Sequence, residues 1–119
     1  MQPKDLIKPK QAEIKRIKAA CPPKTFTKEF PLFYAGQIPN MACLLAEGEV
    51  VLTDSATKEQ VSLAPGDLLG LYHVINSLPW DTTAVILANS KASLIDKATF
   101  LELLESIPEL EKQLKKSMD

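Results

Sequence analysis

The sequence predicts an all-β domain of the sandwich or barrel type, with helices at both ends of the chain. Three observations lead to this prediction. Seven or eight short apolar or β-branched runs recur between Lys24 and about Asp96, turn-forming residues separate them, and amphipathic helical patterns precede and follow them. A chain of 119 residues with 45% hydrophobic residues has the length and the apolar content for one domain with its own core.

A short helix is predicted at the N-terminal side, over residues 10–20. Ile14 and Ile17 share one helical face and Cys21 continues it, after which Pro22 and Pro23 end the helix. We interpret residues 1–23 as a basic N-terminal arm and helix, and residues 24–119 as the β domain with its C-terminal helices.

The middle of the chain supplies the predicted strands, because β-branched and aromatic residues fit a pleated, half-buried surface. In chain order these strands are KTFTKEF, ACLLA, EVVLTDS, EQVSL, DLLGLY, TTAVILA and ASLID. The turn signals between them are Ala35-Gly36, Pro39-Asn40, Glu47-Gly48, Asp54-Ser55 and Pro65-Gly66.

Two helices are predicted at the C-terminal side. Asp96 is an N-cap for KATFLELLES, in which the apolar residues recur at i, i+3, i+4 and i+7. Ser106 and Glu109 have capping-box spacing ahead of PELEKQLKKSM. The apolar stripe of this second helix packs within the chain or contacts a partner, and it is compatible with a homodimer; its residues are Leu110, Leu114 and Met118.

Charge is distributed unevenly along the chain. Residues 1–30 hold eight basic and three acidic residues, whereas the remainder holds six basic and 12 acidic residues. A basic segment can contact nucleic acid or an anionic membrane, but here a single aromatic residue, Phe26, is interleaved with the lysines. We therefore expect no nucleic-acid binding, hold membrane contact to be an unfavoured alternative, and interpret the segment as a solvated helix. Because no signal peptide or spanning segment is present, we expect a cytoplasmic protein.

Residue counts weigh against catalysis. The chain has one histidine, His73, and two distant cysteines, too few ligands for a metal centre of the usual His or Cys type. Ser77 and Asp81 lie near His73 in sequence, yet no GxSxG, GxGxxG or GxxxxGK[ST] motif is present. We expect no enzyme, no metal and no cofactor, with His73 as a hydrogen-bonded structural residue and both cysteines reduced.

Three segments resemble the cyclic-nucleotide-binding domain family, the sensor module of catabolite-activator-type regulators and kinase regulatory subunits. A strand–Gly–strand hairpin corresponds to LLAEGEVVL, a PGDxxG step to SLAPGDLLG, and a closing helical segment to SLIDKATFLELLESIPEL. The resemblance covers roughly residues 25–114. It implies a jelly-roll β-barrel, a cupin-like double-stranded β-helix, flanked by an N-terminal helix and two C-terminal helices.

The resemblance also implies a ligand cassette, from which this sequence departs. In the family, a Gly-Glu step binds the ribose, and an arginine in a Pro-Arg-(Ser/Thr)-Ala step binds the cyclic phosphate. Here Gly70 is followed by Leu71, and Trp80 or Asp81 stands at the arginine position. The cassette positions carried over to this chain are Gly70, Leu71, Tyr72, Asp81, Thr82 and Thr83.

These departures disfavour the ordinary ligands, because a buried cyclic phosphate needs a cation and the sequence has no Lys or Arg between Lys58 and Lys91. We expect a non-enzymatic regulatory or adaptor module that acts through protein contacts, with an unidentified partner protein and Trp80 as a candidate contact residue. The alternative is a sensor that holds a cyclic nucleotide or another anion through Thr82, Thr83 and backbone amides. Because no recognition-helix region follows Pro108, we expect a free-standing module without direct gene regulation.

Overall fold

The structure is a computed structural model that describes residues 6–118, with the side chains of residues 114–118 left outside the description. Nine strands and four helices are formed by these residues. In chain order they are β1 Leu6–Ile7, α1 Gln11–Ala20, β2 Lys24–Phe26, β3 Phe30–Phe33, β4 Met41–Glu47, β5 Val50–Asp54, β6 Gln60–Leu63, β7 Leu68–Leu69, α2 Leu71–Asn76, β8 Thr82–Ile86, β9 Ser90–Asp96, α3 Lys97–Ser106 and α4 Pro108–Met118.

The strands form two antiparallel sheets. One sheet has five strands in the order β1-β7-β4-β9-β2, and the other has four strands in the order β3-β8-β5-β6. This arrangement with helices at both ends confirms the predicted jelly-roll fold. The prediction of a barrel needs one correction, because the sheets do not close on each other: β2 and β3 follow one another in sequence but are edge strands of different sheets.

The five-stranded sheet is the middle layer, with an apolar core on each face. Successive side chains of a strand point to opposite faces, so Cys43 and Leu45 of β4 pack between the sheets, whereas Ala42 and Leu44 pack beneath the helices. We call these two clusters the inter-sheet core and the helix-side core. All four helices contribute buried residues to the helix-side core.

The basic N-terminal segment is part of this fold. Strand β1 pairs with β7, and Ile14 and Ile17 of α1 are buried in the helix-side core. The Lys8 ammonium lies 2.9 Å from an Asp67 carboxylate oxygen, and the second oxygen of Asp67 accepts a hydrogen bond from the Ala64 N–H. Residues 6–20 therefore share their core with the β domain that follows them.

The C-terminal helices agree with their predicted bounds. The Asp96 side chain accepts a hydrogen bond from the Thr99 N–H at 2.7 Å, which is the predicted N-cap of α3. Ser106 was expected to form a capping box at the start of α4. Its hydroxyl instead donates to the Leu103 carbonyl oxygen at 3.3 Å. No helix within residues 6–118 has the length and apolar character needed to cross a membrane.

Candidate functional site

The first three cassette positions, Gly70, Leu71 and Tyr72, lie where β7 turns into α2. The backbone of Gly70 is left-handed, with φ of 103°, and this conformation ends the strand and begins the helix. The sequence pattern DLLGLY was predicted as one strand, which is wrong from Gly70 onward, because its last residues belong to α2. Helix α2 begins directly after this glycine, at Leu71.

The Trp80 ring fills the space beside Gly70. A Cβ at position 70 would lie 2.5 Å from Cη2 and 3.3 Å from Cζ2 of the indole, so the ring lies directly against the glycine. Trp80 is 4% exposed and belongs to the inter-sheet core. The prediction of Trp80 as a surface contact for a partner is therefore wrong, since the side chain is buried within its own chain.

Two further rings sandwich the indole. The Phe33 ring stacks on Trp80 at 3.8 Å between centroids and 12° between planes, and the His73 ring stacks on Trp80 at 4.8 Å and 22°. We call Phe33, Trp80 and His73 the aromatic stack. It joins β3 of one sheet to α2, which packs against the other sheet. Sequence analysis gave His73 a structural role but had no signal for Phe33, because no local pattern links a strand residue to a ring so far along the chain.

Backbone hydrogen bonds hold Trp80 in place. Its N–H donates to the Gln37 carbonyl oxygen at 2.9 Å, and its own carbonyl oxygen accepts from the Gly36 N–H at 2.7 Å. The Gln37 side chain accepts from the Tyr34 N–H at 2.8 Å, which closes the loop between β3 and β4. The loop and Trp80 therefore form one hydrogen-bonded unit.

The structure places Leu71 and Tyr72 on the helix side of the sheet, apart from Trp80. Leu71 has no exposed surface and packs in the helix-side core, whereas Trp80 packs in the inter-sheet core on the other face of the sheet. Tyr72 is half-buried on α2 and contacts the helix-side core. A longer, charged side chain at position 71 would have to enter an apolar core, which costs several kcal/mol.

The remaining cassette positions lie at the start of β8. Asp81 is exposed, and its carbonyl oxygen accepts from the Ser55 N–H at 3.2 Å. Thr82 is 8% exposed. The Thr83 hydroxyl accepts a hydrogen bond from the Ala35 N–H at 3.1 Å, so part of its hydrogen-bonding capacity serves the β3–β4 loop.

A small cavity of about 80 Å³ lies beside Phe33 and Trp80 of the aromatic stack. None of its lining residues is charged, and the space is bounded by β3, the β3–β4 loop, β4 and β9. Among the lining residues are Phe33, Ile38, Met41, Cys43, Trp80 and Leu94. Sequence analysis did not predict this cavity, because it depends on how two separate sheets meet.

Titratable groups of the described residues give little sign of a reactive centre. Burial raises the pKa of the Cys43 thiol to about 12, so this cysteine is a neutral core residue. Burial and the Asp96 carboxylate raise the pKa of Cys21. Within residues 6–118 no group of three or more His, Cys, Asp or Glu side chains is placed to hold a metal ion.

The predicted partner stripe on α4 consists of Leu110, Leu114 and Met118, and the structure describes only the first of these side chains. Leu110 is 1% exposed and is buried in the helix-side core, so it contacts its own chain rather than a partner. The side chains of Leu114 and Met118 lie outside the described residues.

Comparisons with known proteins find a matching family and similar folds. A family model described as "Cyclic nucleotide-binding domain" matches residues 23–107. No curated protein matches the sequence. Many solved structures have a similar fold.

Three solved structures illustrate the similarity of fold. The Thermus thermophilus Catabolite Activator Protein has a TM-score of 0.75 at 18% identity, with 92% of this chain and 53% of that chain covered. A protein from a cyclic-GMP-dependent signalling pathway that regulates bacterial phytopathogenesis has a TM-score of 0.81 at 15% identity, with 92% and 91% covered. The N-terminal domain of a transcriptional regulator from Streptomyces coelicolor A3(2) has a TM-score of 0.67 at 18% identity, with 92% and 79% covered. This chain thus spans about half the length of the Thermus protein.

Proposed function

Because this chain belongs to the cyclic nucleotide-binding domain family, we propose that it is a non-enzymatic, cytoplasmic regulatory module that does not use the ordinary cyclic nucleotides and acts through contacts with another protein. The observation that carries the proposal is the position of the Trp80 ring, which lies against Gly70 at the cassette. A domain whose cassette is filled by its own side chain transmits a signal through its surface.

The electrostatics of the site support this proposal. A cyclic phosphate carries a full negative charge, and Arg suits it because the planar guanidinium donates two hydrogen bonds at once. The sequence provides no Lys or Arg from residue 59 to residue 90, which includes α2 and β8. Loss of one partner of a buried charged pair costs roughly 2–5 kcal/mol, which weakens binding by about 30-fold to several thousand-fold.

The available space supports it as well. Small-molecule sites commonly enclose about 300–1,000 Å³. The cavity beside the aromatic stack holds about 80 Å³, and its lining is uncharged. A nucleotide would therefore have to displace Trp80, which is stacked on both faces and hydrogen-bonded through both backbone groups.

Isothermal titration calorimetry with cAMP, cGMP and cyclic dinucleotides tests the proposal. We expect no binding heat up to millimolar ligand. Binding at sub-millimolar concentration would overturn the proposal and favour the alternative function, a sensor that holds an anion through Thr82, Thr83 and backbone amides.

A variant that carries both family-type residues, Leu71→Glu with Asp81→Arg, provides the matched comparison. We expect no gain in affinity, because position 71 lies in the helix-side core and Trp80 still occupies the cassette. Nucleotide binding by this variant, with a melting temperature close to that of the wild type, would contradict the view that the site is filled.

A further inference from the structure

Two helices of this chain present outward faces of opposite charge. On α1 the exposed positions at i, i+3, i+4 and i+7 are Ala12, Lys15, Arg16 and Ala19. On α3 the exposed positions at the same spacing are Ala98, Leu101, Glu102 and Glu105, with the exposed Lys97 one turn before Leu101 at the N-terminal edge of this face. We call these the basic face and the acidic face. Side chains at this spacing lie on one side of a helix, so each face is continuous.

The charged side chains of both faces have no charged partner in the part of the chain that the structure describes. Among the side chains that the structure describes, Lys15, Arg16, Glu102 and Glu105 form no ion pair, whereas Lys8, Lys91 and Lys112 do. Leu101, between the acidic positions, leaves 45% of its surface exposed. The acidic face therefore combines two free carboxylates with an uncovered apolar side chain.

The two faces cannot meet inside one molecule. The opposite side of α1 is fixed in the helix-side core by Ile14 and Ile17, and the opposite side of α3 is fixed there by Phe100 and Leu103. Both helices thus lie in one layer over the five-stranded sheet and turn their charged faces to solvent. The end of α1 and the start of α3 are neighbours, since the Asp96 carboxylate acts on Cys21.

We propose that a second copy of this chain covers these faces, with the basic face of α1 on the acidic face of α3 in the other copy. Charge complementarity selects this occupant, because α1 against α1 or α3 against α3 would bring like charges together. A twofold axis makes the contact reciprocal, so that each dimer has two α1–α3 contacts. The alanines allow the helices to approach closely, and Leu101 finds apolar cover on the partner.

The reciprocal arrangement also increases the area that the interface buries. A helix of ten residues is about 15 Å long, and one such contact alone falls short of the roughly 800 Å² per partner of a standard interface. Two contacts related by symmetry double the buried area. The resulting dimer is electrostatic in character, so salt weakens it.

Sedimentation analysis or light scattering of the full chain tests the proposal through a charge exchange. We expect the wild type to dimerise at low salt and to dissociate toward monomer at 0.5 M salt, where the Debye length falls to roughly 4 Å. The variant Lys15→Glu/Arg16→Glu and the variant Glu102→Lys/Glu105→Lys should each be monomeric. With four pairs reversed and about 0.5 kcal/mol per exposed pair, Kd should rise roughly 30-fold or more.

Recombination of the charges gives the decisive result. A mixture of the two variants should form a heterodimer, because each basic face then meets an acidic face, and the variant with all four substitutions should regain the homodimer. The control Lys28→Glu/Lys58→Glu makes the net charge more negative by the same amount as Lys15→Glu/Arg16→Glu, at exposed positions outside both faces, and should leave the dimer intact.

Three outcomes would overturn the proposal. These are a monomeric wild type at low salt and high concentration, a dimer that withstands both double substitutions, and a failure of the mixture and the fourfold variant to associate. Melting curves of each variant establish that it is folded. None of these outcomes bears on nucleotide binding, so failure of this proposal is distinguishable from failure of the proposed function.

Discussion

The Trp80 indole and the Gly70 Cα are in direct contact, and a methyl group at position 70 would overlap the ring edge at 2.5 Å. Glycine at this position therefore serves two purposes. It adopts the left-handed backbone that turns β7 into α2, and it leaves room for the Trp80 ring that packs beside it.

Replacement of Gly70 by alanine should destabilise the protein more than the same change at Gly36. Both glycines are left-handed, with φ of 103° and 92°, but a Cβ at Gly36 would meet no atom within 4 Å. We expect Gly36→Ala to cost about 1–2 kcal/mol from the backbone alone, and Gly70→Ala to cost more because of the overlap. Urea denaturation of both variants measures the difference; equal losses would show that the ring moves aside freely.

Removal of the indole should lower stability and create a cavity that accepts a free ring. We expect Trp80→Ala to lose about 3–5 kcal/mol, since the stacks on Phe33 and His73 disappear together. Millimolar indole should raise the melting temperature of this variant and not that of the wild type. Leu52→Ala, at another fully buried site, is the control and should not respond to indole. No response in Trp80→Ala would mean that the site collapses when the ring is removed.

The two cysteines should differ in reactivity. Cys43 is buried with a pKa raised to about 12, whereas Cys21 is partly exposed with a pKa raised by burial and by Asp96. Because the thiolate is the reactive form, a thiol reagent at pH 8 should label Cys21 slowly in the folded protein and Cys43 only after denaturation. Cys21→Ser should abolish labelling of the folded protein, and Cys43→Ser should leave it unchanged. Rapid labelling of folded Cys21→Ser would contradict the burial of Cys43.

Stability should fall at acid pH because the carboxylates of Asp96 and Asp54 accept hydrogen bonds from backbone N–H groups in the folded protein. The hydrogen bond from the Thr99 N–H lowers the pKa of Asp96, and hydrogen bonds from Thr57 and Ala56 lower the pKa of Asp54. A carboxyl whose pKa is lower in the folded state stabilises the fold above its unfolded pKa of about 3.9, and this contribution is lost as pH falls through the folded value.

Urea titrations between pH 7 and pH 2 measure this contribution. We expect the variants Asp96→Asn and Asp54→Asn to lose less stability than the wild type between pH 4 and pH 2, because neither asparagine can be protonated in this range. A decline as steep as that of the wild type in both variants would assign the acid sensitivity to other groups.

The parts of the fold that sequence predicted well are those set by local chemistry. The start of α3 follows from the Asp96 side chain and the Thr99 N–H three residues later, and the buried side of the helix follows from the spacing of Phe100, Leu103 and Ile107. Strand β1 was not predicted, because two residues give no periodicity and the strand depends on β7 as its partner.

The candidate site was harder to predict, since its key contacts join distant segments. The sequence made Trp80 a candidate partner contact on an irregular segment, but Phe33 and the Gly36–Gln37 loop bury it. The family resemblance placed Leu71 and Asp81 in one site, whereas the sheet divides them between a core and the surface. Only the tertiary arrangement determines which face of a strand or helix meets the ligand position.

Strand β1 and α1 lie before residue 23, where the match to the family begins, yet Ile7, Ile14 and Ile17 are 3%, 7% and 0% exposed. A gene trimmed to that boundary would encode a protein whose five-stranded sheet has lost an edge strand and part of its apolar cover. Its β7 edge would be open to pairing with other molecules, and we expect the truncated protein to aggregate into inclusion bodies on expression. Expression screens of relatives of this protein should therefore begin upstream of the recognisable domain.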